Sequence, residues 1–296
     1  MNTLETHFVI QRLAPITQYQ DLGRLGHLHE GFSHSGPMDE LAFAINNQLL
    51  GNPPNATQLE IALGGLQLKC LANCTIAISG AYAKPTLNGR PLVNFCAASI
   101  TAGDVLAFGF AQIGVFSYLA IAGGFSPEPF LGSRATTKRL HIFPDGKALG
   151  VGSYLSAPAT VHTKLQGAPR ESLPDYRHSE LTVIPAFQYQ QFESVARDGL
   201  VNQSFKVASG DRMGSRLIAQ KPIQWTGGEL LSEGLLPGAI QIPPDGNPII
   251  LQRDAQSIGG YPKIGRLTTQ ARMLLAQKQP GETVTFCWLK SYSEIV

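Results

Sequence analysis

The chain has 296 residues, 23 Lys plus Arg against 21 Asp plus Glu, and a net charge of +2. Only 15% of residues are charged, against roughly 25% in ordinary soluble domains, while 43% are hydrophobic and glycine (31) and proline (20) are plentiful. This balance excludes a polybasic nucleic-acid binder and a disordered chain, and it suits short strands and turns better than helical bundles.

The pattern predicts strands over residues 8–13, 59–62, 75–79, 99–108, 115–122, 181–184, 240–242, 249–251 and 283–289. Gly, Pro and Asn signals such as Asn88-Gly89 and Pro244-Asp245-Gly246 separate them. Helices are predicted over 38–50, 187–196 and 269–276; the first follows Ser35-Gly36-Pro37 and stops at Gly51. The fold class is therefore mainly β with a few helices. Residues 105–127 carry no charge and are long enough to span a bilayer. Glycines interrupt them and acids flank them, so they read instead as two buried strands joined by a tight turn. Residues 1–12 carry acids and no long apolar run, which argues against a signal peptide. Cys70, Cys74, Cys96 and Cys287 make no disulfide framework and read as reduced, mostly buried thiols, as expected in the cytoplasm.

The length allows two domains. The Pro- and charge-bearing stretch 163–179 is the expected linker, between domains at 1–165 and 180–296. Three echoes in order support duplication of one unit: residues 102–108 with 280–286, Ser35–Met38 with Ser209–Met213, and Glu60–Gly64 with Glu233–Gly238.

The sequence lacks a G-x-x-x-x-G-K-[ST] phosphate loop, a G-x-G-x-x-G turn, a G-x-S-x-G elbow and an H-E-x-x-H pair. His27, His29 and His34 cluster, and His27 and His29 would share one face of a strand; surface or hydrogen-bonded histidines explain them better than a metal site, and none is expected. Polar residues concentrate in Gly-rich turns at 20–24, 35–39, 132–134, 209–216, 232–234 and 252–263. Glycine lets backbone N–H groups approach a ligand, and arginine offers a planar fork to a carboxylate or phosphate. Any one Asp–Arg pair is first a turn stabiliser; several together point to an anion- or amide-binding groove.

The same turns carry a family pattern. QDLGR (20–24), SGPMD (35–39), LLGNP (49–53), LEIALGG (59–65), LNGRPL (87–92), YLAIAGG (118–124), LGSRAT (131–136), DRMGSRL (211–217), LLSEG (230–234), GAIQIPPDGNPI (238–249) and GGYPKIG (259–265) occur in family order. The chain resembles the allophanate hydrolase subunit 2 family, also called the biotin-dependent carboxyltransferase or KipA family, and within it the 5-oxoprolinase branch. The run Asp254-Ala255-Gln256-Ser257-Ile258 departs from the family's D-x-Q-T-T tendency.

The resemblance implies two tandem cyclophilin-like β-barrel domains. It implies a complex with a KipI-like 5-oxoprolinase component and a LamB/YcsF-type component, which cleaves 5-oxo-L-proline to L-glutamate with ATP hydrolysis and is inactive as this chain alone. ATP would bind in an unclassified way or with a partner protein of that complex. By residue type, that chemistry would draw carboxylates from Asp21, Asp39, Asp211, Glu233 and Asp254. Substrate or phosphate would be held by Arg24, Ser35, Arg134, Arg212, Arg216, Gln241, Gln256, Tyr261 and Lys263. Two alternatives stand beside it: a carboxyltransferase component acting on biotin and a urea-like amide, or a non-catalytic KipA-type regulator binding a KipI-like kinase inhibitor. None of the four methionines flanks a lysine as M-K-M, so no covalently attached biotin is expected.

Overall fold

A computed structural model of the chain describes residues 4–160 and 167–290. Residues 163–166 of the expected linker, the expected domain edge at 161–165 and the chain ends at 1–3 and 291–296 lie outside the described residues. Two compact units divide the chain: residues up to Leu25 with Ser35–Asp175, and Gly26–His34 with Tyr176 onward. Gly26–His34 thus belongs with the second unit although its sequence neighbours on both sides belong to the first.

The first unit contains β1 (Leu4–Arg12), β2 (Ile16–Gln20), α1 (Glu40–Leu49), β3 (Gln58–Ala62), β4 (Gln67–Cys70), β5 (Cys74–Gly80), β6 (Thr86–Leu87), β7 (Arg90–Pro91), β8 (Cys96–Ile100), β9 (Val105–Ala107), β10 (Phe116–Ile121) and β11 (Tyr154–Pro158). They form a six-stranded sheet in the order β11-β1-β4-β9-β6-β7 and a five-stranded sheet in the order β2-β3-β10-β5-β8. Alternation along β3 shows how the unit is layered. Leu59 and Ile61 enter one apolar core with Phe8, Leu68, Ile76 and Leu119, while Gln58 and Glu60 point to the opposite face and are also buried. On that face α1 is tied to the sheet: Gln58 Nε2 donates to Phe43 O (2.7 Å), Asn46 Nδ2 to Gln58 Oε1 (3.1 Å) and Ser79 Oγ to Ala42 O (2.7 Å).

Two strand expectations need correction here. The run 99–108 is not one strand, because a turn splits it into β8 and β9, which lie in different sheets. Gly103 takes a left-handed φ of 97° there, and Asp104 Oδ2 accepts from Thr101 N (2.8 Å) and Thr101 Oγ1 (2.9 Å). Nor do the two runs within 105–127 pair with each other: β9 pairs with β4 and β6, and β10 with β3 and β5. Both runs are short strands of a β unit, and among the described residues no helix is long and apolar enough to cross a membrane.

The second unit contains β12 (Glu180–Pro185), α2 (Ser194–Val201), β13 (Ser204–Gly210), β14 (Gly214–Ala219), β15 (Glu233–Gly234), β16 (Ala239–Gln241), β17 (Ile249–Leu251), β18 (Ile258–Gly259), β19 (Lys263–Leu267), α3 (Thr269–Ala276) and β20 (Thr283–Trp288). Seven strands close a barrel in the order β12-β19-β16-β17-β14-β13-β20, and β15 and β18 form a separate ribbon. Leu181, Val183, Phe205, Leu217, Ile240, Ile250 and Phe286 are fully buried apolar side chains of its strands. The helix expected over 187–196 is displaced: a 3-10 turn at Tyr189–Gln191 comes first, and the helix starts at Ser194. Phe192 explains the break. It is extended (ψ 140°) and buried, with its ring 4.7 Å from that of Trp225.

One of the three sequence echoes is a shared local structure. Gly103 and Gly281 both have φ 97°, Asp104 Oδ2 and Glu282 Oε2 each accept the N–H three residues earlier (2.8 and 2.6 Å), and each turn enters an antiparallel strand pair. The other two are not equivalent. Ser35 and Gly36 have positive φ, whereas Gly210 does not; Glu60 is buried within β3, whereas Glu233 is exposed on the β15 ribbon.

Candidate functional site

In the first unit the predicted site residues turn inward. Asp21 is buried; its Oδ1 accepts from Gly23 N (2.9 Å) and Ser133 Oγ (2.6 Å), and its Oδ2 from Arg134 N (2.6 Å). Arg24, 1% exposed, donates from Nη1 to Thr137 Oγ1 (3.0 Å) and from Nη2 to Ala135 O (2.6 Å). Ser35 is buried with φ 58°, and its hydroxyl donates to Gln20 Oε1 and Thr136 O (both 3.3 Å). Asp39 is the N-cap of α1, accepting from Ala42 N (3.0 Å). Arg134 Nε donates to Pro127 O (2.8 Å). Asp39 N donates to Tyr118 Oη (2.8 Å), which in turn donates to Glu60 Oε2 (2.8 Å). Burial, followed by the nearby Glu60 and Asp39 charges, pushes the Tyr118 phenol well above its ordinary range, so it stays a donor. These groups satisfy buried backbone and strand ends. Asp21 thus holds two turns, and Asp39 caps a helix start.

In the second unit the predicted residues separate into two sets. The β13–β14 turn is held by Asp211, whose Oδ1 accepts from Met213 N (2.7 Å) and Gly214 N (3.0 Å). Arg212 points inward and makes a two-point pair with Asp254, Nε to Oδ2 at 2.9 Å and Nη2 to Oδ1 at 3.0 Å, with both side chains buried. Backbone bonds reinforce the link, Asp254 N to Arg212 O (2.6 Å) and Gln252 N to Met213 O (3.0 Å). Arg212 and Asp254 therefore fasten the hairpin tip to the segment after β17. Glu233 accepts from Lys263 Nζ and from Gln188 Nε2 (2.5 Å). The Lys263 ammonium holds the Glu233 carboxyl below the usual carboxylate range. Gln188, which no motif in the sequence points to, also accepts from Lys263 N (2.8 Å), and its buried side chain orients that pair.

The remaining four meet, together with Asp211. Asp211, Arg216, Gln241, Gln256 and Tyr261 line one cavity of about 340 Å³, with Ile249 and Leu251 as its apolar lining. Strand register brings them there. Arg216 on β14 stands opposite Ile249 on β17, and Gln241, the last residue of β16, stands opposite both Ile249 and Lys263. Tyr261 and Gln256 flank β18. Arg216 and Asp211 are exposed and Tyr261 is 46% exposed, whereas Gln241 is 2% exposed and its Nε2 has no hydrogen-bond partner among the described residues. The cavity thus combines a charged mouth with an apolar lining, the composition of a small-molecule site.

Among the described residues no three His, Cys, Asp or Glu side chains are grouped to hold a metal. His27 and His29 do not lie on a strand; they flank Glu30 in and beside a 3-10 turn (Leu28–Glu30), with ring nitrogens 3.2 and 3.5 Å from its Oε1. A triphosphate fits the predicted cations poorly. Arg24 and Arg212 are buried and engaged within the fold, and Lys263 is paired with Glu233.

The chain matches, over residues 30–288, the family model described as carboxyltransferase domain, subdomain A and B. It is 33% identical to the C component of 5-oxoprolinase from Haemophilus influenzae, covering 90% of this chain and 86% of that protein. It is also 33% identical to the C component of 5-oxoprolinase from Escherichia coli, covering 94% and 89%. The crystal structure of Kluyveromyces lactis urea carboxylase superposes with a TM-score of 0.90 at 27% identity over 99% of this chain, which spans 28% of that larger protein. The matched residues include Ser35, Asp39 and Arg134 of the first unit and the cavity of the second, and the chain belongs to the carboxyltransferase subdomain A and B family.

Proposed function

We propose that the chain is the C component of a 5-oxoprolinase complex that cleaves 5-oxo-L-proline to L-glutamate with ATP hydrolysis, and that the second unit's cavity is its small-molecule site. The observation that carries this reading is the convergence of Asp211, Arg216, Gln241, Gln256 and Tyr261 on one apolar-lined cavity, in a chain similar over nearly its full length to two proteins named as the C component of 5-oxoprolinase. Opening a five-membered lactam breaks a stable amide. The carbonyl must be held, the carboxylate oriented and the ring nitrogen protonated as it leaves. Arg216 offers the fork for the carboxylate, Tyr261 and Gln256 offer hydrogen bonds, and Ile249 and Leu251 keep the lactam ring out of water.

ATP is placed with a partner protein in this reading, because the cations the sequence puts forward are largely used inside the fold. The partners proposed are a KipI-like 5-oxoprolinase component and a LamB/YcsF-type component, in the cytoplasm, with the chain inactive alone and carrying no attached biotin. A carboxyltransferase component acting on a urea-like amide is the second reading, favoured by the urea carboxylase superposition. Reconstitution decides between them: the chain is combined with the two partner proteins and assayed for glutamate from 5-oxoproline plus ATP, and for turnover of urea plus ATP. Glutamate only from the full set supports the first reading. Glutamate from this chain alone, or urea turnover instead, overturns it.

A further inference from the structure

Three loops of the first unit meet and hold apolar side chains out in water. They are residues 63–65 after β3, 82–85 after β5 and 109–114 before β10. Leu63 O accepts from Ala111 N (3.0 Å), Gly64 forms a β-bridge with Phe110, and Tyr82 N donates to Ile113 O (2.8 Å). Glycine is required at this crossing, because Gly64 has φ 81° and a Cβ there would collide with Gly109 O. On that frame Phe110 is 75% exposed, Tyr82 48% and Leu63 41%. Cations edge the patch. Arg12 Nε donates to Gly65 O (2.8 Å), and the Phe110 ring would stand 3.7 Å from a Cβ on that same glycine. Lys84 Cβ would stand 3.8 Å from a Cβ on Gly109. Both cations are exposed, and the three loops carry no acidic residue. Leu63 (φ 62°) and Lys84 (φ 46°) also take left-handed backbone, which glycine would adopt without strain.

We infer that this face docks a partner protein whose contact surface is apolar at its centre and acidic at its edge. Phe110, Tyr82 and Leu63 fill the centre, and Arg12 and Lys84 meet the carboxylates. The occupant is the KipI-like component; the inference rests on the 5-oxoprolinase reading for that choice and goes beyond it in assigning the surface. Folding does not account for the patch. A ring left three-quarters exposed adds little to the core, whereas a protruding aromatic within a polar edge is what binding anchors look like. Strain kept at an exposed lysine and a partly exposed leucine, where glycine would relax the chain, fits side chains that serve a contact outside it. Charge then chooses the occupant. A two-fold contact with a second copy would set the same patch, and so the same cations, on both sides. An anionic bilayer is held by clusters of basic residues, and two cations are too few. An acidic edge on a partner protein pairs with both cations and speeds its approach.

The test is titration calorimetry of the full chain against the purified KipI-like component, at low and high salt, with thermal melting of each variant alone. Phe110→Ala is expected to weaken binding about thirtyfold or more, as loss of an anchor does. Lys84→Gly weakens it about threefold or more and blunts its salt dependence. The melting temperature of Lys84→Gly alone stays level or rises, because its left-handed backbone relaxes. A loop with only a structural role would give the opposite pair of results, a lower melting temperature and an unchanged affinity. Folded Phe110 and Lys84 variants that bind like wild type overturn the inference, and so does a wild type that does not bind the component. Two further outcomes overturn it by naming another occupant. One is self-association in sedimentation that Phe110→Ala removes; the other is Phe110-dependent capture by phosphatidylserine vesicles. If the component docks through Phe110 but the full complex makes no glutamate, the 5-oxoprolinase reading falls and the docking face stands. If glutamate forms and both variants assemble like wild type, the reverse holds.

Discussion

The turn at 20–24 in the first unit and the turn at 211–216 in the second use the same residue types with opposite results. Around the first, Asp21 and Arg24 are both buried and bonded to the neighbouring segment 133–137. Around the second, only Arg212 turns in, to Asp254, while Asp211 and Arg216 stay exposed on a cavity. An Asp–Arg turn beside glycine is therefore a structural clamp wherever a second segment supplies its hydrogen bonds. At 211–216 the turn instead leaves Asp211 and Arg216 lining a cavity. The five-stranded sheet of the first unit is covered on its polar face by α1, whereas the ends of β14, β16 and β17 leave open space.

Substitutions break this comparison in a graded order. Arg212→Ala is expected to be the most damaging, at about 3–5 kcal/mol in urea unfolding, because it removes the two-point partner of the buried Asp254 carboxylate. Leucine at both positions should recover most of that loss, and a cost under about 1 kcal/mol for the single variant would mean the pair is solvated rather than sealed. Asp21→Ala follows at about 1–3 kcal/mol, since it leaves buried donors unmet, Ser133 Oγ and Arg134 N among them.

Arg216→Ala should shift stability by no more than about 0.5 kcal/mol, as for other exposed positions, while lowering glutamate production by the reconstituted complex. A large loss of stability with unchanged activity would make this turn a clamp like the first. The smallest effect is that of Glu233→Gln, at about 0–1 kcal/mol and less in high salt. Because Lys263 lowers the Glu233 pKa from 4.5, the pair's contribution is present above that value and fades as the pH falls through the folded-state value. The wild-type minus variant difference in melting temperature should therefore shrink towards acid pH, and a difference that grows on acidification contradicts the assignment.

Much of the strand content was legible from local pattern. β3, β5, β10, β17 and β20 fall where alternation or apolar runs put them, and α3 falls at 269–276 with Thr268 Oγ1 accepting from Ala271 N (3.2 Å) as its cap. The polar strands were not legible. β2 (ITQYQ) buries Gln18 and Gln20 on the α1 side of its sheet, and β14 (GSRLIA) sets Arg216 at a cavity mouth. Neither shows an apolar face long enough to announce a strand: β2 buries its glutamines against neighbouring elements, and β14 exposes Arg216.

The site followed the same division. The turn residues were identifiable by type, and five of them do converge. Nothing in the one-dimensional pattern distinguished Asp21 from Asp211, or marked Gln188 as the group that holds Glu233 and Lys263 together. The sequence alone determined a charge-poor, glycine-rich β protein with its polar chemistry placed in turns, because those properties are set by composition and by bonds between near neighbours. Only the tertiary structure decided which turns are sealed and which open on a cavity. That outcome depends on whether residues more than a hundred positions away, such as Ser133 for Asp21, arrive to accept or donate the remaining hydrogen bonds.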